Sequence, residues 1–238
     1  MIERFAQLDE RIPNGPGGRY YGVFPAVVQD IADPDSQGRV KVKLPWSPDA
    51  SGGSGDGYVV WARLATMMAG SNRGSWFVPD VDDEVLLAFE CGDPRRPYVI
   101  GMLWNGQDSP PEQMDGGGNN YIKAIHSRNG IIITMDDTDG AEKLTLETPA
   151  GQKIEIDDGG QSITLTDVTQ NSIKMDSSGI TVTASAQVKV NAGTVEIDAG
   201  SVTVNAGMST FNGVVKADTV ITNSVVSSSY TPGAGNIW

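Results

Sequence analysis

Apolar and polar residues alternate in short bursts along the C-terminal half of the chain. The clearest run is Ile180-Thr-Val-Thr, then Val188-Lys-Val-Asn-Ala-Gly, Val195-Glu-Ile-Asp-Ala-Gly and Val202-Thr-Val-Asn-Ala-Gly. Period-2 alternation predicts short strands with their aliphatic residues on one face. Asn-Ala-Gly or Asp-Ala-Gly ends each burst, since these residues tolerate the positive φ of a sharp turn. The last three bursts recur every seven residues. Seven is odd, so the chain must turn in each repeat to keep its valines on one side. Such a unit offers two aliphatic side chains and cannot bury itself. A single-chain solenoid with three faces needs about 20 or more residues per coil. Three chains wound about one axis remove the difficulty. The pattern therefore predicts an intertwined trimeric β-helix whose axis is lined by Ile180, Val182, Val188, Val190, Val195, Ile197, Val202 and Val204. Short hairpins on an ordinary β-sandwich are the alternative.

Upstream, strands are predicted at Ile131–Thr134, Leu144–Leu146, Ile154–Ile156, Ile163–Leu165 and Ile173–Met175, joined by turns such as Asp136-Asp-Thr-Asp-Gly140 and Asp157-Asp-Gly-Gly160. Their spacing starts near ten and tightens to seven, so residues 121–207 are expected to form the β-helix. Thr, Ser, Lys and Glu at the outward positions suit a solvated β surface. Residues 208–238 change character: Phe211–Ile221 loses the seven-residue beat, and Tyr230-Thr-Pro-Gly-Ala-Gly-Asn-Ile-Trp238 carries two aromatics. Terminal units of an array are often atypical because they cap it.

The N-terminal half obeys other rules. Ile2, Phe5, Leu8 and Ile12 form one apolar stripe at helical spacing, stopped by Pro13. This predicts a helix and a flexible joint over residues 1–19, either folded back on its own domain or reaching a neighbouring subunit. Residues 20–105 read as a small closed all-β domain. Tyr20–Gln29 is a strand, bent or at an edge because of Pro25. Asp33–Gly38 is a turn, followed by Arg39–Leu44 with Val40, Val42 and Leu44 inward. A Gly/Ser loop at 51–57 follows. Further strands lie at Tyr58–Leu64, Val85–Phe89 and Tyr98–Trp104, with an irregular apolar stretch at Ala65–Trp76. Five strands and a Trp-rich interior suit a Greek-key OB barrel. Residues 106–120, rich in Gly, Pro and Asn, form a linker.

Composition narrows the function. The 238 residues carry a net charge of −13, which argues against nucleic acid and anionic lipid as partners. One Cys excludes a disulfide framework and multi-Cys metal sites. No apolar run reaches about 18 residues and no signal-peptide pattern opens the chain, so a soluble cytoplasmic product is expected. Chemistry-bearing residues are few. His126 is the only His, so one chain offers no site with two His ligands. Three copies could meet on an axis and hold an ion, against a solvated or hydrogen-bonded His. Cys91 has no His in its loop to activate it. Asp136, Asp137, Asp139 and Glu142 could supply a glycosidase pair, but turn and surface roles explain them more simply. The seven-residue period does not match calcium-binding nonapeptides, and Gly116-Gly-Gly118 lacks the Lys-Ser/Thr of a phosphate loop. No enzyme and no cofactor are expected.

Several blocks in order carry a resemblance: Asp33-Pro-Asp-Ser-Gln-Gly-Arg-Val-Lys-Val-Lys-Leu-Pro-Trp46, Trp61-Ala-Arg63, Ala69-Gly70, Pro79-Asp-Val-Asp-Asp-Glu-Val85, and Phe89-Glu-Cys-Gly-Asp-Pro-Arg-Arg-Pro97 through Ile100-Gly101. They resemble the phage baseplate assembly protein V family, the central-spike proteins of contractile tails and related injection systems. One departure is Asp82, where the family usually has Gly. The resemblance implies an OB barrel, a β-helical needle, a homotrimer and a structural role: attachment to the baseplate hub and piercing of the target envelope, in a particle assembled in the host cytoplasm. The N-terminal stripe of Ile2, Phe5, Leu8 and Ile12 would then contact the hub. Some relatives carry an inserted lysozyme domain, for which the linker has no room. Some cap their tip with a metal held by His-x-His, which no residue after His126 can provide. Residues 208–238 are then expected either to fold over the apex or to form a platform for a PAAR-type tip protein, docked through Tyr230, Ile237 and Trp238. A polysaccharide-binding or -degrading tailspike is the other class of reading. Against it, residues 121–238 contain only Tyr121, Phe211, Tyr230 and Trp238 as aromatics.

Overall fold

The computed structural model describes residues 18–47 and 57–229. The expected helix over residues 1–12 with its stripe, most of the Gly/Ser loop, and the terminal Tyr230, Ile237 and Trp238 lie outside the described residues. The chain divides into two units, 1–187 and 188–238. The first holds every strand among the described residues.

Its barrel is built from β1 (Val23–Asp30), β2 (Val40–Leu44), β3 (Tyr58–Leu64), the two-residue arms β4 (Ala69–Gly70) and β5 (Arg73–Gly74), β6 (Glu84–Phe89) and β7 (Pro97–Leu103). Five of these close in the order β1-β2-β3-β7-β6, with β6 returning to β1 and β3 parallel to β7. The fold is therefore all-β and begins with the OB-type barrel expected. Alternation does the sorting: Val40, Val42 and Leu44 of β2 are fully buried with Val28, Val85, Leu87 and Val99, while the residues between them face outward. Closure leaves no barrel edge to cover. Pro25 lies on the part of β1 that pairs with β6, before pairing with β2 begins at Val27. Its carbonyl accepts a hydrogen bond from the Trp46 indole at 2.8 Å.

The interior is not Trp-rich. Trp46 and Trp61 are half-buried, and Trp76 and Trp104 are exposed. Valine and leucine fill the centre because a five-stranded barrel is too narrow for indoles. The aromatics instead plug one end. Tyr20 packs against Phe24, Trp46 and Phe89, and its hydroxyl meets the buried Ser47 hydroxyl at 2.5 Å.

Two turns hold the barrel's form. In the β1–β2 turn the Asp33 carboxylate accepts from the backbone N–H groups of Asp35, Gln37 and Arg39 and from the Arg39 guanidinium. The guanidinium, then those N–H groups, hold its pKa far below the usual carboxylate range. Gly57, which enters β3 with φ +79°, has no room for a side chain: a Cβ there would lie 2.6 Å from the Leu44 carbonyl. Asp82 has φ +76°, so the turn keeps a glycine geometry without a glycine. Its N–H donates to the Val28 carbonyl at 2.9 Å, and Asp83 Oδ2 accepts from the Asp80 N–H at 2.8 Å.

The second sheet has seven antiparallel strands in strict sequence order: β8 (Ile122–His126), β9 (Ile132–Asp136), β10 (Lys143–Glu147), β11 (Lys153–Asp157), β12 (Ser162–Thr166), β13 (Ser172–Asp176) and β14 (Gly179–Thr183). The strands predicted between Ile131 and Thr183 are present, with ends longer or shifted by one or two residues, whereas the bursts at Val188, Val195 and Val202 form no strand in the single chain. Up to Thr183 the ladder partners are strands of the same chain. The β-helix expected from Tyr121 begins, within one chain, as this antiparallel meander. In the second unit, residues 188–229 are exposed, bend at intervals and lie outside any strand pairing.

The buried core draws only on barrel residues, so residues 1–106 expressed alone should fold. Asp82→Gly in that fragment should raise the unfolding free energy by up to about 1 kcal/mol, as a left-handed strain is relieved against some gain in unfolded-chain entropy. A lower denaturant midpoint would show that the Asp82 side chain holds the turn. Asp33→Asn should destabilise the fragment at neutral pH. The folded Asp33 pKa is depressed, so its stabilisation is full above about pH 4 and is lost as pH falls towards the folded value. The gap between wild-type and variant midpoints should therefore narrow in acid.

Candidate assembly surface

Each of the six turns in the seven-stranded sheet is closed by a side-chain oxygen at its first residue. Ser127 and Thr148 accept from the N–H of Ile131 and Gln152. Asp136, Asp157, Asp167 and Asp176 accept from the N–H of Thr138, Gly160, Thr169 and Ser178. These bonds lower all four carboxylate pKa values. The Thr138 hydroxyl dominates at Asp136, the Gly160 N–H at Asp157, the Asn171 amide at Asp167 and the Ser178 hydroxyl at Asp176. Repeated side-chain turns of this kind fix the register of every hairpin.

Fixed register sorts the two faces. Ile125, Ile133, Leu146, Ile154, Leu165, Ile173 and Val182 stand directly opposite one another in succession across all seven strands. Two residues along each strand runs a parallel row of Lys123, Met135, Leu144, Ile156, Ile163, Met175 and Ile180. The two rows share one face, which is apolar at every position but Lys123. The row between them, on the other face, reads Ala124, Thr134, Thr145, Glu155, Thr164, Lys174 and Thr181. That face carries the ion pairs of Lys143 with Asp157 at 3.1 Å and of Lys153 with Glu155 at 2.6 Å. Most of the apolar rows are exposed. An apolar sheet face of this extent is far larger than the scattered exposure normal on a soluble surface.

Ile180 and Val182 thus sit at the end of the two apolar rows, on β14. Val188, Val190, Val195, Ile197, Val202 and Val204 lie in the second unit, exposed and two by two between bends of the chain. The valines of the repeat were legible from spacing. The two upstream rows are the larger surface, and their alternation carried the signal for them.

His126 belongs to the polar face, opposite Ile132. Its Nε2 lies 3.2 Å from Glu112 Oε1 of the linker, a contact too poorly aligned for a hydrogen bond. Arg128 Nη1 reaches Asp80 Oδ1 of the barrel at 2.6 Å. Of the carboxylates that could have built a hydrolase, Asp136 closes a turn, Asp137 pairs with Lys123 at 2.6 Å, and Glu142 accepts from the Gly140 N–H. Among the described residues no group of three His, Cys, Asp or Glu side chains is arranged to hold a metal. Cys91 is exposed, in a left-handed conformation on the β6–β7 loop. No helix among them is long and apolar enough to cross a membrane.

Residues 24–104 match the model of the type VI secretion system/phage-baseplate injector OB domain. Residues 143–209 match that of the phage baseplate V C-terminal trimerisation domain. The chain is 32% identical over 129 residues to two type VI secretion system spike proteins of Pseudomonas aeruginosa, VgrG1b and VgrG1c. The aligned stretch covers 52% of this chain but only 17% and 18% of those proteins. It is 28% identical over 120 residues to the actin cross-linking toxin VgrG1 of Vibrio cholerae, covering 50% of this chain and 10% of the toxin. The chain thus spans a small part of the curated relatives it matches. The first match overlies the closed barrel, and the second overlies β10 to β14 and the seven-residue repeat; with both domains in order, the chain belongs to the phage baseplate V family.

Proposed function

We propose that the chain is the central spike of a contractile tail baseplate or a related injection apparatus, acting as a homotrimer. One observation carries the reading: a sheet with every hairpin fixed by its own turn still leaves uncovered two rows that are apolar at every position but Lys123, and their β10–β14 part lies in a stretch that matches a trimerisation domain. Three copies would turn these rows towards a common axis and bury them against each other. In the second unit, Val188, Val190, Val195, Ile197, Val202 and Val204 would line the trimer axis. Each fully buried aliphatic side chain contributes roughly 1.5–3 kcal/mol, and each layer would recur three times. His126, on the polar face, would then look away from the axis, which disfavours an axial ion there.

In this reading the barrel is the mounting. The stripe of Ile2, Phe5, Leu8 and Ile12 would contact the hub. The paired and wound strands would transmit force to the target envelope, because bending them breaks many backbone hydrogen bonds together. Tyr230, Ile237 and Trp238 would dock a PAAR-type tip protein. The particle would assemble in the host cytoplasm. No step of this role is catalytic.

Light scattering should give three times the 25.2 kDa of one chain. Val195→Asp would place three like charges on one dry axis and should abolish the trimer, whereas Lys189→Glu should leave it intact. Leu165→Lys, on the apolar face, should likewise prevent assembly, and Thr164→Lys, on the polar face beside Glu155, should not. A monomeric wild type, or equal effects within either pair, would overturn the reading. For the tip, a PAAR-type protein should co-purify with the full chain and not with a trimeric chain ending at Ser229; retention by both would remove Tyr230, Ile237 and Trp238 from that role.

A further inference from the structure

The second unit keeps a beat beyond the matched trimerisation domain. The backbone bends at Ala186, Gly193, Gly200 and Gly207, seven residues apart, then at Gly213, and then at Asp218, Asn223 and Ser228, five residues apart. The repeat does not stop after Gly207. It shortens through one six-residue step.

The same internal frame fits both periods. Two residues after a bend stand Val188, Val195 and Val202 in the long units and Val215, Val220 and Val225 in the short ones. Four residues after a bend the long units place Val190, Ile197 and Val204, and the short units place Ala217, Thr222 and Ser227. Period 2 puts both positions on one side of the chain. The short unit therefore presents one valine and one small residue where the long unit presents two aliphatics. At the six-residue step these positions are Ser209 and Phe211, a small residue beside a large one.

Exposure separates the sides independently of this frame. Val215, Val220 and Val225 are 64%, 72% and 66% exposed, close to the 59–69% of the valines and isoleucine of the heptads. Val214, Ile221 and Val226 are 96%, 95% and 100% exposed. The two sets have similar side chains and adjacent positions, so the backbone path itself distinguishes an inner from an outer side. Among residues 208–229 the backbone finds no strand partner in its own chain, so its N–H and C=O groups are open to pairing with another chain.

We infer that residues 208–229 are wound with two further copies of this chain in a tighter, five-residue register, with Val215, Val220 and Val225 on the axis and Ile221 and Val226 outside. The inference rests on the trimeric reading above and extends its interface past residue 209, where the matched trimerisation domain ends. The occupant of the inner side is the chain's own copies, because the inner positions continue those of the heptads without a change of frame. A fold-over of this segment on the apex would not separate Val220 from Ile221 in this way.

Amide hydrogen exchange on the full chain tests it. Residues 208–229 should exchange at least about a hundredfold more slowly than an open chain, as residues 188–207 should. Val220→Asp should abolish the slowing across 214–229 while leaving 188–207 protected; Ile221→Asp should leave both protected. Fast exchange in 208–229 beside a protected 188–207 would overturn the five-residue winding alone. So would equal effects of the two substitutions, which would point to a fold-over. Fast exchange in both segments would instead overturn the trimer on which the inference rests.

Discussion

Backbone groups and apolar side chains both need partners, and this chain meets the two needs to different degrees along its length. In the barrel it meets both: the ladder closes on itself, and Val28, Val40, Leu44, Leu87 and their neighbours are buried inside it. In the seven-stranded sheet it meets only the first, because antiparallel pairing satisfies the interior backbone while one face remains uncovered. From Val188 to Ser229 the single chain meets neither. Buried apolar area and satisfied hydrogen bonds are separate requirements of folding, and this chain separates them along its length.

The turn chemistry explains why the middle state is possible. A sheet with one bare face is prone to slip, since a shift of one residue exchanges its faces. Six turns, each held by a Ser, Thr or Asp oxygen at its first position, remove that freedom before any partner arrives. The acidic composition follows in part from this. Asp136, Asp157, Asp167 and Asp176 are hydrogen-bond acceptors within their turns first and surface charges second. The same residues would have to be released from their turns before any of them could act as a general acid or base.

Alternation made the strands and their faces legible in the sequence, from Val40-Lys-Val-Lys-Leu44 to Ile180-Thr-Val-Thr183. It did not reveal which strands pair. A valine that faces inward in a meander and one that faces inward in a three-chain winding leave the same period-2 trace, so the ladders from Ile122 to Thr183 within one chain were not readable. The Trp residues misled for a different reason: their clustering before residue 105 marked the barrel but not its centre, where valine volumes fit. Asp82 was visible as an odd residue in a glycine position, and its φ of +76° shows that the backbone demand outlived the side chain. After Gly207 the change in valine spacing concealed a regular series of bends, because the pentads give up one of their two aliphatic positions to Ala217, Thr222 and Ser227.

Every ladder of the seven-stranded sheet joins strands that are neighbours in sequence. Contacts this local close short loops and form quickly. The sheet can therefore be complete soon after its last hairpin leaves the ribosome, when sister chains are still dilute. From then until association it presents an ordered, sticky surface, the kind of species that misassembles or is held by chaperones. Synthesis rate and local concentration, more than the intrinsic speed of folding, would then set the yield of any homotrimer the chain forms.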